Sequence, residues 1–457
     1  MVAKKKTTAA GKAAISAEQA GAGAANGLRV RMYRVGFGDF FLVTVPTKDG
    51  PRFILIDCGV HAGNIGTIGD CVKDLGEVTG RKLALVIVTH NHADHLSGFA
   101  TQAAAFAEFE VECVWITNRL DPHNTKASDL KRQVTSLAQH LRLRLAARDD
   151  PAGRQARDMA QNALGVAGGS NDQAIQVVTG GFKNRPPVYY YEAGDEAQLP
   201  ASLQGALTAR ILGPAPIDEA TEFSASDNKA AQYFAAVEKS GLPDSTAFKP
   251  FDQRWPASAG CYPAEAFKPW SSPEEMEAAL HAEQPDVLAA AANTIDGTLN
   301  NQSLVVLFTC GGKKLLFVGD AQWGNWAYWL YGKAVKGQDP GITAEARELL
   351  ASVDFYKVGH HGSTNATPVP VVGALRLRCV GMCSTEAGCY GSVKMNSEVP
   401  RGALMDALEK RTGNQLVRSD WIAAGAAKAS PDAHTQLEKL PPEFVTGDLF
   451  IEYEFPD

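Results

Sequence analysis

Three histidines and an aspartate fall within six residues, at His90, His92, Asp94 and His95, directly after the apolar run Leu83 to Val88. Imidazole nitrogens and carboxylate oxygens are the common protein ligands of divalent transition metals. In an extended segment alternate side chains share a face, so His90, His92 and Asp94 converge on one side, and a turn brings His95 in behind Asp94. The pattern predicts a metal pocket at a strand end. Without a metal, a buried imidazole cluster leaves several ring nitrogens to satisfy; with one, each ring becomes a neutral ligand. The bland alternative is a solvated histidine-rich turn.

More residues of this kind follow apolar runs elsewhere. Asp57 ends Arg52-Phe53-Ile54-Leu55-Ile56-Asp57, Asp320 ends Lys314-Leu315-Leu316-Phe317-Val318-Gly319-Asp320, and His360 and His361 follow Val353 to Val358. Loops at one end of a sheet meet in space, so these distant residues can build one site.

The elements that must position them read as alternating strands and helices. Strands are expected over 28–33, 40–45, 52–57, 83–88, 111–117, 303–309, 314–320, 353–358 and 448–454, with a further one over 375–382. Helices are expected between 63 and 79, over 99–109 and over 401–408, and Gly311-Gly312 predicts a hairpin turn. Strand, helix, strand with polar residues at strand ends is an α/β signature. A main domain over 28–400 is expected to carry two insertions, near 120–185 and 215–295, with 401–457 an extension packing on it. The first insertion aligns Leu130, Val134, Leu137, Leu141 and Leu145 on one helical stripe, flanked by Lys131, Arg132, Arg142, Arg144 and Arg148. Such a basic face is either simply solvated or lies along a phosphate backbone. The second insertion spaces Trp255, Tyr262 and Trp270 through a Pro-, Ala- and Glu-rich stretch.

The 457 residues are 45% hydrophobic and carry a formal charge of -7, which excludes a generally basic nucleic-acid coat but not a local groove. Residues 1–27, rich in Ala, Gly and Lys, read as a disordered tail without the apolar core of a signal peptide, and no uninterrupted run reaches membrane-spanning length. A cytoplasmic protein with no membrane partner is expected. The eight cysteines contain no C-x-x-C pair and read as reduced core thiols; the loose group Cys379, Cys383 and Cys389 fits no standard zinc knuckle.

His90, His92, Asp94 and His95 form H-x-H-x-D-H, and in this the chain resembles the metallo-β-lactamase-fold hydrolases. It is most similar to the nuclease-like domain of the bacterial competence (DNA-uptake) channel proteins, through Val35-Gly36-Phe37-Gly38-Asp39, Leu55-Ile56-Asp57-Cys58-Gly59, Asn301-Gln302-Ser303-Leu304-Val305-Val306, Leu316-Phe317-Val318-Gly319-Asp320 and Lys357-Val358-Gly359-His360-His361-Gly362-Ser363. The pieces span 28 to about 365; the insertions and the region after about 400 are not covered. The resemblance implies an αββα sandwich with two metals, Zn2+ or the more oxygen-tolerant Mn2+. His90 and His92 would bind the first; Asp94, His95 and His360 the second; Asp320 would bridge. Either His360 or His361 can be the ligand, and His360, first off the strand, is favoured. Asp57 would orient the ligands. Many superfamily members place a further histidine before the strand leading to the bridging aspartate, where this chain has Leu299-Asn300-Asn301-Gln302. Asn301 would offer an amide oxygen or cap the strand, leaving the first metal weakly held. Lys357, Ser363 or Thr364 would aid the phosphate or leaving group, or serve structure alone.

The first expectation is a phosphodiesterase acting as a DNA nuclease through metal-activated water, with Asp94, Asp320 and Asp57 central to catalysis. The alternatives are a hydrolase of small esters, thioesters or lactones and a non-enzymatic binding protein with a structural metal. Nothing in the chain specifies its oligomeric state.

Overall fold

The computed structural model describes residues 27–63, 65–146, 148–166, 169–219, 285–332, 341–391, 398–421 and 440–456. The expected tail and most of the second insertion, with Trp255, Tyr262 and Trp270, lie outside the described residues. The strands are β1 (Arg29–Tyr33), β2 (Phe40–Val45), β3 (Arg52–Cys58), β4 (Lys82–Val88), β5 (Glu110–Thr117), β6 (Gly165–Val166), β7 (Gly169–Ser170), β8 (Val188–Tyr191), β9 (Leu207–Gly213), β10 (Val305–Cys310), β11 (Lys313–Phe317), β12 (Phe355–Lys357), β13 (Val380–Cys383), β14 (Leu416–Arg418), β15 (Phe444–Thr446) and β16 (Phe450–Glu454). The helices used below are α1 (Ile68–Thr79), α2 (Ala93–Thr101), α3 (Thr125–Arg144), α4 (Pro151–Asn162), α5 (Asn171–Gln176), α6 (Pro285–Asn300), α7 (Trp323–Tyr331), α8 (Ala344–Ala351), α9 (Val369–Ala374) and α10 (Gly402–Thr412).

The architecture is mixed α/β, built on two mixed sheets. One runs β15-β16-β1-β2-β3-β4-β5-β8 and the other β14-β13-β12-β11-β10-β9. β3, β4, β5 and β8 pair in parallel, as do β11, β12, β13 and β14, so both sheets send several strand ends the same way. Strands of this kind are buried on both faces, which explains why 83–88 reads as a continuous apolar run. Leu85 and Ile87 of β4 face a core shared with Val306, Phe308, Phe317 and Phe355 of the other sheet. Val86 and Val88 turn outward to meet Cys71 and Leu75 of α1 and Phe99 of α2. On the far side Leu316 and Tyr356 pack under Trp326 of α7 and Leu350 of α8. The layers are therefore helices, sheet, sheet, helices.

Local chemistry sets the ends of these elements. Thr67 accepts the Asp70 N–H at the start of α1, and Gly80 closes it at φ 60°. Gly311 and Gly312, at φ 54° and 78°, make the expected β10–β11 hairpin. The strand expected over 375–382 is confined to Val380–Cys383, because Pro368 and Pro370 start a helix, α9, that runs to Ala374. Among the described residues after 400, α10 leads to β14 at the edge of one sheet, and β16 pairs with β1 in the other.

The first insertion is more regular than its sequence suggests. Leu141 and Leu145 of the expected stripe are buried with Ala156 and Ala160 of α4 and Ala291, Ala292, Ile295 and Leu299 of α6. These three helices form a small core of their own, at about 2 kcal/mol for each fully buried Leu or Ile, and it holds α4 and the end of α6 beside the histidine tract.

Two glycines of the motif segments let backbone meet backbone. A Cβ on Gly59 would lie 2.4 Å from the Asp94 carbonyl carbon and the His95 nitrogen, and one on Gly38 would lie 2.3 Å from the Gly59 oxygen. Gly59→Ala forces these segments apart where no flexible side chain can yield. A loss of about 3 kcal/mol in urea unfolding is expected, whereas a loss below about 0.5 kcal/mol, the range of ordinary surface changes, contradicts this packing.

Candidate metal centre

Asp57, the last residue but one of β3, sits at φ 54°, a left-handed conformation that Asp tolerates better than most residues. Its carboxylate accepts the Thr89 N–H at 2.8 Å and the Thr89 hydroxyl at 2.7 Å, and it lies 2.7 Å from His95 Nδ1. Asp57 thus ties the end of β3 to the segment after β4. His92 is the extended N-cap of α2, so Asp94 and His95 sit in the first helical turn. This corrects two expectations: Asp94 is not in an extended run with His90 and His92, and the helix starts at Ala93 rather than 99. An aspartate is favourable beside the unpaired N–H groups of a helix start.

Three of the four histidines, His90, His95 and His361, divide their ring nitrogens between an outer partner and the site. An ionised carboxylate or a carbonyl can only accept, so His95 Nδ1 donates to Asp57 and His361 Nδ1 donates to the Ser384 carbonyl at 2.8 Å. The Thr89 hydroxyl spends its hydrogen on Asp57, so its oxygen accepts from His90 Nδ1 at 3.1 Å. The inner nitrogens are then His95 Nε2, 3.1 Å from Asp320 Oδ2, and His361 Nε2, 3.1 Å from Asp94 Oδ2 and 3.4 Å from Asp320 Oδ2. Atoms from Asp94, His95, Asp320 and His361 lie within 4.8 Å of one another, all buried, and could hold a metal ion. His90 Nε2 faces His92 Nδ1 at 3.0 Å alongside them.

Two observations show that these residues fit a cation. His95 Nε2 and Asp320 Oδ2 are buried and, although close, make no hydrogen bond. The carboxyl groups of Asp39, Asp57, Asp94 and Asp320 are all buried with only the Lys357 ammonium among them, so four negative charges against one positive leave three in excess. Uncompensated buried charge on this scale is not tolerated.

In the metal-free chain protons answer that excess. Burial disfavours a charged ring, yet Asp320, Asp57, Asp39 and Asp94 outweigh it and hold the His95 pKa well above its usual range; the same contest, led by Asp320, raises His361. Burial likewise works against charge on Asp94 and Asp320, but His95 and His361 hold both well below the usual carboxylate range. Burial pushes Asp39 up despite Lys357. His90 and His92, dominated by burial, are pushed down and stay neutral.

The placement of the other candidates is mixed. His361, not the favoured His360, faces Asp94 and Asp320. The chain turns through left-handed conformations at both residues, φ 42° and 51°, and this sends the first ring to the rim and the second inward. His360 instead contacts Ser363 Oγ at 2.7 Å, Asn365 Oδ1 at 3.1 Å and Asn300 Nδ2 at 3.2 Å. Lys357 is wholly internal, donating to the Gly319 carbonyl at 2.8 Å and Asp320 at 3.2 Å and pairing with Asp39, so it braces a carboxylate rather than meeting a substrate. The Asn301 amide oxygen accepts the Asn325 N–H at 2.9 Å, near the start of α7.

Sequence reasoning quoted Asp39 and Asn300 without giving either a role and missed Asn162 and Asp296. Asn162, at the end of α4, donates to Asp94 Oδ1 at 3.0 Å and accepts the Asp94 N–H at 3.2 Å. Asp296 and Asn300 come from the last turns of α6. None carries a motif; the only signal is a polar residue near the end of an otherwise apolar helix stripe.

A cavity of about 50 Å3 reaches Asp94 and is lined also by Asp158, Asp296, His360, Ser363 and Tyr390. Among the described residues no lysine or arginine lines it. On the basic face of the insertion, Lys131 pairs with Asp172 at 2.6 Å, Arg148 with Asp150 at 2.6 Å and Arg132 with Asp129. Among the described residues no helix is long and apolar enough to cross a membrane.

These shifts have a sign. His95 and His361, raised in the fold, stabilise the metal-free chain fully below their unfolded value of about 6.5 and lose that contribution as pH rises through the raised values. Asp94 and Asp320, depressed, contribute above about 3.9 and lose it as pH falls. A metal requires the same rings deprotonated. Thermal melts from pH 5.5 to 8.5 are therefore expected to show metal-free stability falling toward alkaline pH while the increment from added Zn2+ grows; an increment independent of pH contradicts the ligand assignment. Compared with protein-family models and with curated proteins, the chain matches none.

Proposed function

We propose that the chain is a metal-dependent hydrolase with the αββα sandwich of the metallo-β-lactamase fold, cleaving phosphodiester bonds in DNA. One observation carries the hydrolase reading: Asp94, His95, Asp320 and His361 gather at the ends of parallel strands, with His95 Nε2 and Asp320 Oδ2 left without a hydrogen bond, next to a cavity. The two mixed sheets with helices on both outer faces support the fold assignment. Divalent ions such as Zn2+ or Mn2+, when bound, supply an acidified water and positive charge against the charge developing on oxygen.

The chain's own residues do the rest. Asp57 and the Ser384 carbonyl hold a proton on Nδ1 of His95 and His361, so that once a metal replaces the second proton it is Nε2 of each ring that faces inward. Lys357 holds the Asp320 carboxylate in place, and Asn162 fixes Asp94 from the insertion. His360 and Ser363, hydrogen-bonded to each other at the cavity wall, are placed to orient a substrate oxygen. A cavity that reaches Asp94 speaks against a purely structural metal, whose site has no open position. The DNA substrate rests on the likeness to the competence-protein domain, and a cytoplasmic setting is in keeping with the free thiols.

A second reading, hydrolysis of a small ester, thioester or lactone, is favoured by the cavity itself, which is small and, among the described residues, lined by Asp94, Asp158, Asp296 and the Tyr390 ring rather than by lysine or arginine. Wild-type, His361→Ala and His360→Ala proteins loaded with Zn2+ or Mn2+ can be offered single- and double-stranded DNA and a panel of small esters. The nuclease reading expects metal-dependent strand cleavage, lost about a hundredfold in His361→Ala and less in His360→Ala. No cleavage with either metal, or equal cleavage by His361→Ala, would sink it, and ester turnover without DNA cleavage selects the second reading.

A further inference from the structure

His92 Nε2 is buried and has no hydrogen-bond partner. The charged group beside it is the Asp296 carboxylate of α6, with Oδ1 at 4.0 Å. Asn300, one turn further on, donates to the other oxygen, Asp296 Oδ2, at 3.0 Å, which fixes the carboxylate on the helix face toward the site. Nothing in the motif pattern assigns either residue a role.

We infer that Asp296 is the positioning residue of His92, holding its proton on Nε2 and so freeing Nδ1 for a metal shared with His90; this rests on the metal-dependent reading above. The ring has two neutral forms. With the proton on Nδ1 it points at His90 Nε2, 3.0 Å away, and the Nε2 lone pair faces an anion. With the proton on Nε2 it faces the carboxylate, and Nδ1 and His90 Nε2 present two lone pairs to one point. Two lone pairs at that separation repel unless a cation lies between them. The remaining 4.0 Å is a side-chain adjustment or one bridging water from a hydrogen bond. His90 is set the same way by Thr89 and Asp57, His95 by Asp57, and His361 by the Ser384 carbonyl. Of these rings, His92 is the one whose outer partner comes from α6.

The test uses the full chain with Asp296→Ala, Asp296→Asn, His92→Ala and His361→Ala. Two readouts do not depend on turnover: metal stoichiometry and affinity by equilibrium dialysis against Zn2+ and Co2+, and histidine tautomers by long-range 15N NMR of the metal-free and the Zn2+-loaded protein. Asp296→Ala is expected to weaken by about 10- to 100-fold the same metal equivalent that His92→Ala removes. The equivalent that His361→Ala removes is expected to stay. Asp296→Asn, which keeps an accepting oxygen, is expected to lie between. The metal-free wild type is expected to show His92 protonated at Nδ1, donating to His90 Nε2, and the Zn2+-loaded wild type to show it protonated at Nε2, a switch that in Asp296→Ala is expected to need more Zn2+. Unchanged metal affinity together with an unchanged tautomer overturns the inference. A wild type binding only the His361-dependent equivalent overturns it too while leaving the hydrolase reading standing, and a wild type binding no metal overturns both.

Discussion

Four buried carboxylates around a single ammonium, an excess of three negative charges before any ring is protonated or metal bound, are the constraint around which this fold is arranged. Asp39, Asp57, Asp94 and Asp320 come from four separate segments, and bringing them together costs far more than the single Lys357 can return. Protons on His95 and His361 offset part of the excess in the metal-free chain, and divalent ions would offset it more fully. The parallel strands exist, in this view, to hold these groups where chain ends converge. The close approach of Gly38 and Gly59 to the Asp94 backbone lets the segments come near enough for the carboxylates and rings to share one centre.

Around that centre runs a shell of hydrogen-bond partners that decides which nitrogen of each ring looks inward. The shell draws on β3 through Asp57, on the segment after β13 through Ser384 and on the insertion through Asn162. The insertion is therefore part of the site's architecture as well as its cover. Its three-helix core places Asp158, Met159 and Asn162 of α4 and Asp296 of α6 at the cavity. The helix charges that suggested a nucleic-acid surface are in good part paired locally with Asp129, Asp150 and Asp172, so substrate attraction by the protein's own positive charge finds little support in that face.

Much of this was legible because apolar periodicity and ligand density are local signals. The runs at 52–57 and 83–88 and the Gly311-Gly312 turn locate strands and a hairpin almost to the residue, and His90 to His95 stand out by composition alone. What escaped depends on three-dimensional placement. Choosing between His360 and His361 required the two left-handed residues that turn one ring out and the other in, which no spacing encodes. The helix beginning at Ala93 overrode the alternation read for Asp94. Asn162, Asp296 and Asn300 lie 67 to 210 residues from His95 or His90 in the chain, and only the packing of α3, α4 and α6 brings their helices to the centre.

The most direct measurement is anomalous diffraction from crystals of the full chain soaked in Zn2+ or Mn2+. If the buried charge is balanced by metal, a peak will stand about 2.0 to 2.2 Å from His95 Nε2, His361 Nε2 and the Asp94 and Asp320 oxygens. If the metal-soaked centre instead shows no anomalous density and the two rings remain protonated against the carboxylates, the charge is balanced by protons alone and the metal-dependent reading is wrong.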